Sequence, residues 1–143
     1  IDYAHTPDAI SGVIAQSRPL VDGRVIVVIG AGGDRDQKKR PMMGEAAAGA
    51  DLVIVTNDNP RSEDPAAIID QIVSGMPPDT TLEVVPDRRD AIRRALGAGL
   101  RGDAVLILGK GHEVGQEFAD RVDPFDDRTV AAQELERLAG MQP

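Results

Sequence analysis

Short apolar runs alternate with amphipathic stretches along this chain. Arg24 to Ile29, Leu52 to Thr56, Leu82 to Val85 and Ala104 to Leu108 are the apolar runs. Their near-continuous Val, Ile and Leu content is the pattern of strands buried on both faces. Helical signals fall between them. Thr6-Pro7 predicts a helix start, with threonine capping and proline in the first position, and the helix runs to about Ser17. A second helix covers roughly Arg40 to Ala48, beginning at Pro41. Asp64-Pro65 starts a third, in which Ile68, Ile69 and Ile72 share one face. Asp87 caps a fourth, with Ile92, Ala95 and Leu96 at core spacing. Asp126 or Asp127 caps the last, with Val130, Leu135 and Leu138 inward. Pro77-Pro78-Asp79 is a turn, and Gln116 to Ala119 reads as a short edge strand. The alternation predicts an α/β fold: a Rossmann-like three-layer domain with a mostly parallel sheet and helices on both faces. Residues 1–143 read as one domain with no internal boundary.

Composition narrows the chemistry. A chain of 143 residues suits one domain with its own core. Aromatic residues make up 2%, with Tyr3, Phe118 and Phe125 the whole supply, so Val, Ile, Leu and Ala must build that core. The net charge of −8 argues against a nucleic-acid partner, because no basic surplus exists to neutralise phosphates. Arg88, Arg89, Arg93 and Arg94 fall together on the fourth helix and read as a solvated face. The lack of cysteine excludes disulfides and thiolate chemistry and fits a cytoplasmic protein. The apolar runs are too short to span a bilayer, and no signal peptide is visible, so no membrane partner is expected. The chain starts at Ile1, which reads as a cut from a longer polypeptide.

Loops after successive parallel strands share one edge of the sheet, where such folds bind ligands. Three of them carry charge: Gly30 to Asp36, Asn57 to Arg61, and Gly109 to Glu113. In the second, Pro60 stiffens the turn and Arg61 offers a planar fork for a carboxylate. Asp58 and Asn59 offer acceptors that suit an ammonium group. One short loop can therefore address both charges of an amino acid. Gly30-Ala31-Gly32-Gly33-Asp34-Arg35 misses the dinucleotide fingerprint, because Arg35 stands where a small residue must. Arg35 reads as a charge aimed into the cleft, or as a surface arginine paired with Asp34 or Asp36. Gly109-Lys110-Gly111-His112-Glu113 resembles half a phosphate loop but lacks the Ser or Thr after Gly-Lys. Glu113 can receive an ammonium group, whereas Lys110 and His112 read equally as capping or surface residues.

Asp2-Tyr3-Ala4-His5 opens the chain. The Tyr3 ring can stack on a nucleobase and His5 can donate to phosphate or ribose; the segment can also be no more than a helix start, with Asp2 and His5 pairing locally. Two histidines and no cysteine disfavour zinc. A receiver-like regulatory module with magnesium on Asp34, Asp36 and Asp58 remains an alternative, with Lys110 as its required lysine.

Four segments together resemble the C-terminal domain of the MurE-type Mur ligases. They are Asp2-Tyr3-Ala4-His5-Thr6-Pro7-Asp8, Gly32-Gly33-Asp34-Arg35-Asp36 with Lys39-Arg40-Pro41, Asp58-Asn59-Pro60-Arg61, and Gly109-Lys110-Gly111-His112-Glu113. Phe125-Asp126-Asp127-Arg128 also fits. The resemblance implies an ATP-dependent ligase that joins meso-2,6-diaminopimelate to UDP-N-acetylmuramoyl-L-alanyl-D-glutamate, abbreviated UDP-MurNAc-dipeptide, in bacterial peptidoglycan synthesis. It implies that ATP and Mg2+ are held mostly by missing N-terminal and central domains, so that this chain alone is inactive. It places diaminopimelate on Arg35, Asp58, Asn59, Arg61, Gly109 and Glu113, and the ATP nucleoside and phosphates on Asp2, Tyr3 and His5. Ligases for lysine or another diamino acid are the near alternative. Arg61 disfavours lysine, which lacks a distal carboxylate to pair with it.

Overall fold

A computed structural model describes residues 1–141. Six strands and five α-helices follow in the order α1 (Pro7–Ser17), β1 (Val25–Ile29), α2 (Lys39–Ala47), β2 (Leu52–Val55), α3 (Pro65–Ser74), β3 (Leu82–Val84), α4 (Arg88–Ala98), β4 (Ala104–Ile107), β5 (Gly115–Glu117), β6 (Val122–Pro124) and α5 (Asp127–Gly140). The first four strands form one parallel sheet in the order β3-β2-β1-β4. Asp2 extends it beside the end of β4: its N–H donates to Ile107 O at 3.0 Å, and its carbonyl accepts from Gly109 N–H at 3.1 Å.

The central strands β1 and β2 are buried on both faces, as their continuous apolar runs require, whereas the edge strands β3 and β4 are only partly buried. Val25, Val27, Ile29, Val53 and Val55 pack with residues of α1, α2 and α3. Ile26, Val28, Ile54 and Ile107 point to the other face and pack with α4 and α5. Each fully buried Ile or Val stabilises the fold by about 1.5–3 kcal/mol before entropy is counted. Ile68, Ile69 and Ile72 of α3 are buried together, as their spacing predicts. The chain leaves β1 toward β2, while β4 arrives on the opposite side of β1 from the far edge. The carboxyl ends of β1 and β4 therefore flank a switch point, where a crevice forms.

Three sequence expectations are corrected. Gln116 to Ala119 is not an edge strand of the main sheet; β5 pairs antiparallel with β6 in a separate hairpin. That hairpin docks on the loop after β2. Gln116 Nε2 donates to Asp58 O at 2.8 Å, and Arg61 N–H donates to Glu117 O at 3.0 Å. Leu135 is 52% exposed, and Glu134 takes the inward position beside Val130 and Ala131. Glu134 is tolerated there because Arg89 and Arg93 of α4 reach its carboxylate at 3.2 and 3.0 Å. Arg88 is no part of a solvated face. It is fully buried and makes a two-pronged pair with the equally buried Asp127, at 2.8 and 2.7 Å. Among the described residues, no helix is long and apolar enough to cross a membrane.

Candidate functional site

The three charged loops converge at the carboxyl edge of the sheet. They enclose, with α2 and the N-terminal segment, a cavity of about 360 Å³. Its lining includes Gly30, Ala31, Gly32, Arg35 and Asp36 after β1, then Lys39, Arg40 and Met43 of α2. Asp58, Asn59 and Arg61 join from the loop after β2, and Gly109 and Glu113 from the loop after β4. Tyr3, His5 and Thr6 close the N-terminal side.

Arg61 sits in the left-handed region, with φ of 53°. A side chain there costs about 1–3 kcal/mol, so its surroundings must hold it. Its Nε donates to Glu117 at 2.7 Å and its Nη1 to Gly33 O at 2.9 Å. Those two bonds fix the guanidinium at the cavity wall. Arg35 is more exposed; its Nη1 donates to the Asp34 carbonyl at 2.9 Å and not to a neighbouring carboxylate. Arg40, almost fully buried, is scaffolding. It holds Glu63 through two bonds of 2.9 and 2.6 Å and also reaches Gly32 O at 2.9 Å. The Arg40 side chain, then the Asp34 N–H, lower the Glu63 carboxyl to about 2. Through Glu63 these bonds tie the loops after β1 and β2 together.

The opposite character comes from Asp58 and Glu113. Burial pushes the Asp58 carboxyl up, while Arg88 and Lys110 pull it back. Gly109 has φ of 109°, and a Cβ there would stand 2.7 Å from Asp58 Oδ2, so a side chain at this position is strained and displaces the Asp58 carboxylate. Lys110 is neither a cap nor a surface residue. It is fully buried, and its Nζ donates to Asn59 Oδ1 at 3.0 Å and to Gly115 O at 2.6 Å. The same nitrogen lies 3.5 Å from Glu113 and 4.0 Å from Asp58. Beneath the loops, Arg88 donates to Asn57 O at 3.2 Å and to Leu108 O at 3.1 Å. It thereby joins the carboxyl ends of β2 and β4.

Tyr3 is 47% exposed at the cavity mouth, with its ring centre 4.6 Å from His5 and 5.8 Å from His112. Asp2 does not line the cavity. Its carboxylate accepts from Ala4 N–H at 2.8 Å, while His5 Nδ1 contacts the Tyr3 carbonyl, so the two do not pair. Among the described residues, no three His, Asp or Glu side chains gather as a metal site. The three aspartates of a receiver-like centre do not meet: Asp34 bonds Ser62, and Asp36 accepts from Lys38 N–H at 3.0 Å.

Thus the six residues expected to bind an amino acid share one cavity, with Tyr3 and His5 at its rim. Sequence reasoning missed the supporting roles of Lys110, Arg88, Asp127 and Gln116. Only Lys110 had a usable signal, a Gly-Lys-Gly turn directly after a buried strand.

Comparison with known proteins places the chain in a family. The family described as Mur ligase, glutamate ligase domain, matches residues 1–111. A UDP-N-acetylmuramoyl-L-alanyl-D-glutamate--2,6-diaminopimelate ligase of Thermosynechococcus vestitus is 49% identical over 140 residues, covering 96% of this chain and 28% of the relative. A ligase of the same name from Syntrophomonas wolfei is 51% identical over 138 residues, covering 94% of this chain and again 28% of the relative. A solved structure of a ligase of that name superposes with a TM-score of 0.91 at 40% identity, covering 96% of this chain and 28% of the other. The chain therefore spans little more than a quarter of the length of these relatives. By the match across most of its length, the chain belongs to the Mur ligase family.

Proposed function

We propose that this chain is the amino-acid-binding third domain of a cytoplasmic ligase. That enzyme joins meso-diaminopimelate to UDP-N-acetylmuramoyl-L-alanyl-D-glutamate through an amide bond in peptidoglycan synthesis. One observation carries the reading: Arg35 and Arg61 share a cavity with Asp58 and Glu113. Diaminopimelate has a carboxylate and an amino group at each end, and this charge set matches it. Arg61, already oriented by Glu117 and Gly33, meets the distal carboxylate. Glu113, partly exposed, and Asp58, behind Gly109, face the distal ammonium. Arg35 takes the carboxylate beside the attacking amine, which reacts in its unprotonated form.

ATP, with Mg2+, supplies the phosphoryl group that activates the carboxylate of the UDP-MurNAc-dipeptide, and both are held mostly by N-terminal and central domains. The exposed Tyr3 ring fits stacking on the base, with His5 beside it. The domain brings the amine to the activated carboxylate and shields it from water, and alone it does not catalyse. Lysine would leave the Arg61 edge unpaired in the closed site, so a lysine-adding ligase is disfavoured.

Calorimetric titration of the chain with meso-diaminopimelate tests this. Arg61→Ala should weaken binding about 30-fold or more, the usual effect of truncating a desolvated charge pair. Glu113→Gln should weaken diaminopimelate more than 2-aminopimelate, which lacks the distal amine. Unchanged affinity in Arg61→Ala would sink the assignment.

A further inference from the structure

Lys110 is a fully buried cation beneath the cavity. Its environment is made of acceptors. Asn59 Oδ1 and Gly115 O accept directly, and Glu113 and Asp58 stand at 3.5 and 4.0 Å. Arg88 and Asp127 complete the charged groups that act on Asp58.

Asn59 is where this matters. Its Oδ1 receives two donors, Lys110 Nζ at 3.0 Å and Glu117 N–H at 3.0 Å. An ammonium group and a backbone N–H can only donate. The oxygen must therefore lie on that side, because a flipped amide would set its NH2 against two donors. Both lone pairs of Oδ1 are used. What Asn59 turns the other way is Nδ2, which reaches Glu113 Oε1 at 3.4 Å. Asn59 lines the cavity two residues before Arg61.

Resting on the diaminopimelate reading, we infer that Lys110 is a specificity-setting positioning residue. It locks the Asn59 amide so that the pocket offers an N–H donor beside Arg61, where the bare sequence suggested an acceptor. Asn59 then recognises the distal carboxylate and not the distal ammonium. A ligand ending in ammonium alone brings a donor to a donor, and the pocket rejects it. Glu113 and Asp58 remain the acceptors for the ammonium.

NMR on the chain, first without ligand, tests this. The expected result is a coupling across the hydrogen bond from Lys110 Nζ to Asn59 Cγ. Nuclear Overhauser contacts from the Asn59 amide protons to Glu113 should accompany it, and Lys110→Met should lose them. Absence of both signals in the unaltered chain, or their survival in Lys110→Met, overturns the inference. With ligand, Lys110→Met should lower the preference for meso-diaminopimelate over L-lysine about tenfold or more, the scale of one hydrogen bond to a charged group. A preference equal to that of the unaltered chain overturns the inference. Asn59→Asp keeps the Lys110 bond but removes the donor. It should lose the same preference in a stably folded chain, so the test survives if Lys110→Met unfolds. An unaltered chain that binds neither amino acid refutes the diaminopimelate reading, and the ligand-free signals then decide the Lys110 placement by themselves.

Discussion

Asp127→Ala is the most demanding perturbation of the scaffold. Asp127 and Arg88 have side chains with 0% exposure, and two bonds of 2.8 and 2.7 Å join them. Removing the carboxylate leaves a guanidinium buried with carbonyl partners alone. Breaking a buried pair on one side costs about 3–5 kcal/mol. Asp127 also stands in the first turn of α5, where an acid gains about 0.3–1 kcal/mol from the helix dipole. A domain holds only about 5–15 kcal/mol of net stability, so the variant should be marginal. With an m-value of about 2 kcal/mol per M, its urea midpoint should fall by about 1.5–2.5 M. The double change Arg88→Met with Asp127→Leu should cost less than Asp127→Ala alone, because no unpaired charge is left behind. It still leaves Asn57 O and Leu108 O without their donor, so it is not neutral. A loss below about 1 kcal/mol in Asp127→Ala, the range of exposed pairs, would refute the claim that this pair holds the site loops.

Other expectations are simpler to check. Gly109→Ala combines a positive φ with a Cβ 2.7 Å from the Asp58 carboxylate, so it should cost about 1–3 kcal/mol in urea melts and displace Asp58. Retention of both stability and ligand affinity would contradict the close approach. Glu63 has its carboxyl lowered from an ordinary 4.5 to about 2, chiefly by Arg40. A lowered carboxyl stabilises the fold above its unfolded value, and that contribution disappears as pH falls from 4.5 toward 2. Stability of Glu63→Gln should therefore depend less on pH in that window than stability of the unaltered chain, and parallel curves would exclude the linkage. Ile72→Ala, at a position with 0% exposure, should cost about 2–5 kcal/mol by urea denaturation. A loss under 1 kcal/mol would mean that α3 packs loosely there.

The layers of the fold were legible because local signals and tertiary packing agree. Buried parallel strands demand continuous apolar runs, and these stand out in a chain almost free of aromatics. Thr6, Asp64, Asp87 and Asp126 each accept a backbone N–H from the first turn of their helix, so caps marked the boundaries. The hairpin partner β6, Val122-Asp123-Pro124, was not legible. It is three residues long and ends in a proline, too short for an alternation to stand out. Arg88 was indistinguishable in sequence from Arg89, Arg93 and Arg94. Which arginine turns inward depends on where α5 brings Asp127, a contact 39 residues away. The candidate site was legible at the level of loops, since the topology brings loops after parallel strands to one edge. Its inner layer was not. The orientation of Asn59 is set by Lys110 and by a backbone N–H of the hairpin, neither adjacent to it in sequence.

The most direct measurement is a backbone NMR titration of the labelled chain with meso-diaminopimelate and, separately, with L-lysine. Shifts at Arg35, Asn59, Arg61 and Glu113 with diaminopimelate, absent or far weaker with lysine, are the predicted result. Equal shifts with both ligands, or diaminopimelate shifts that bypass these residues, would contradict the assignment of the cavity as the amino-acid pocket.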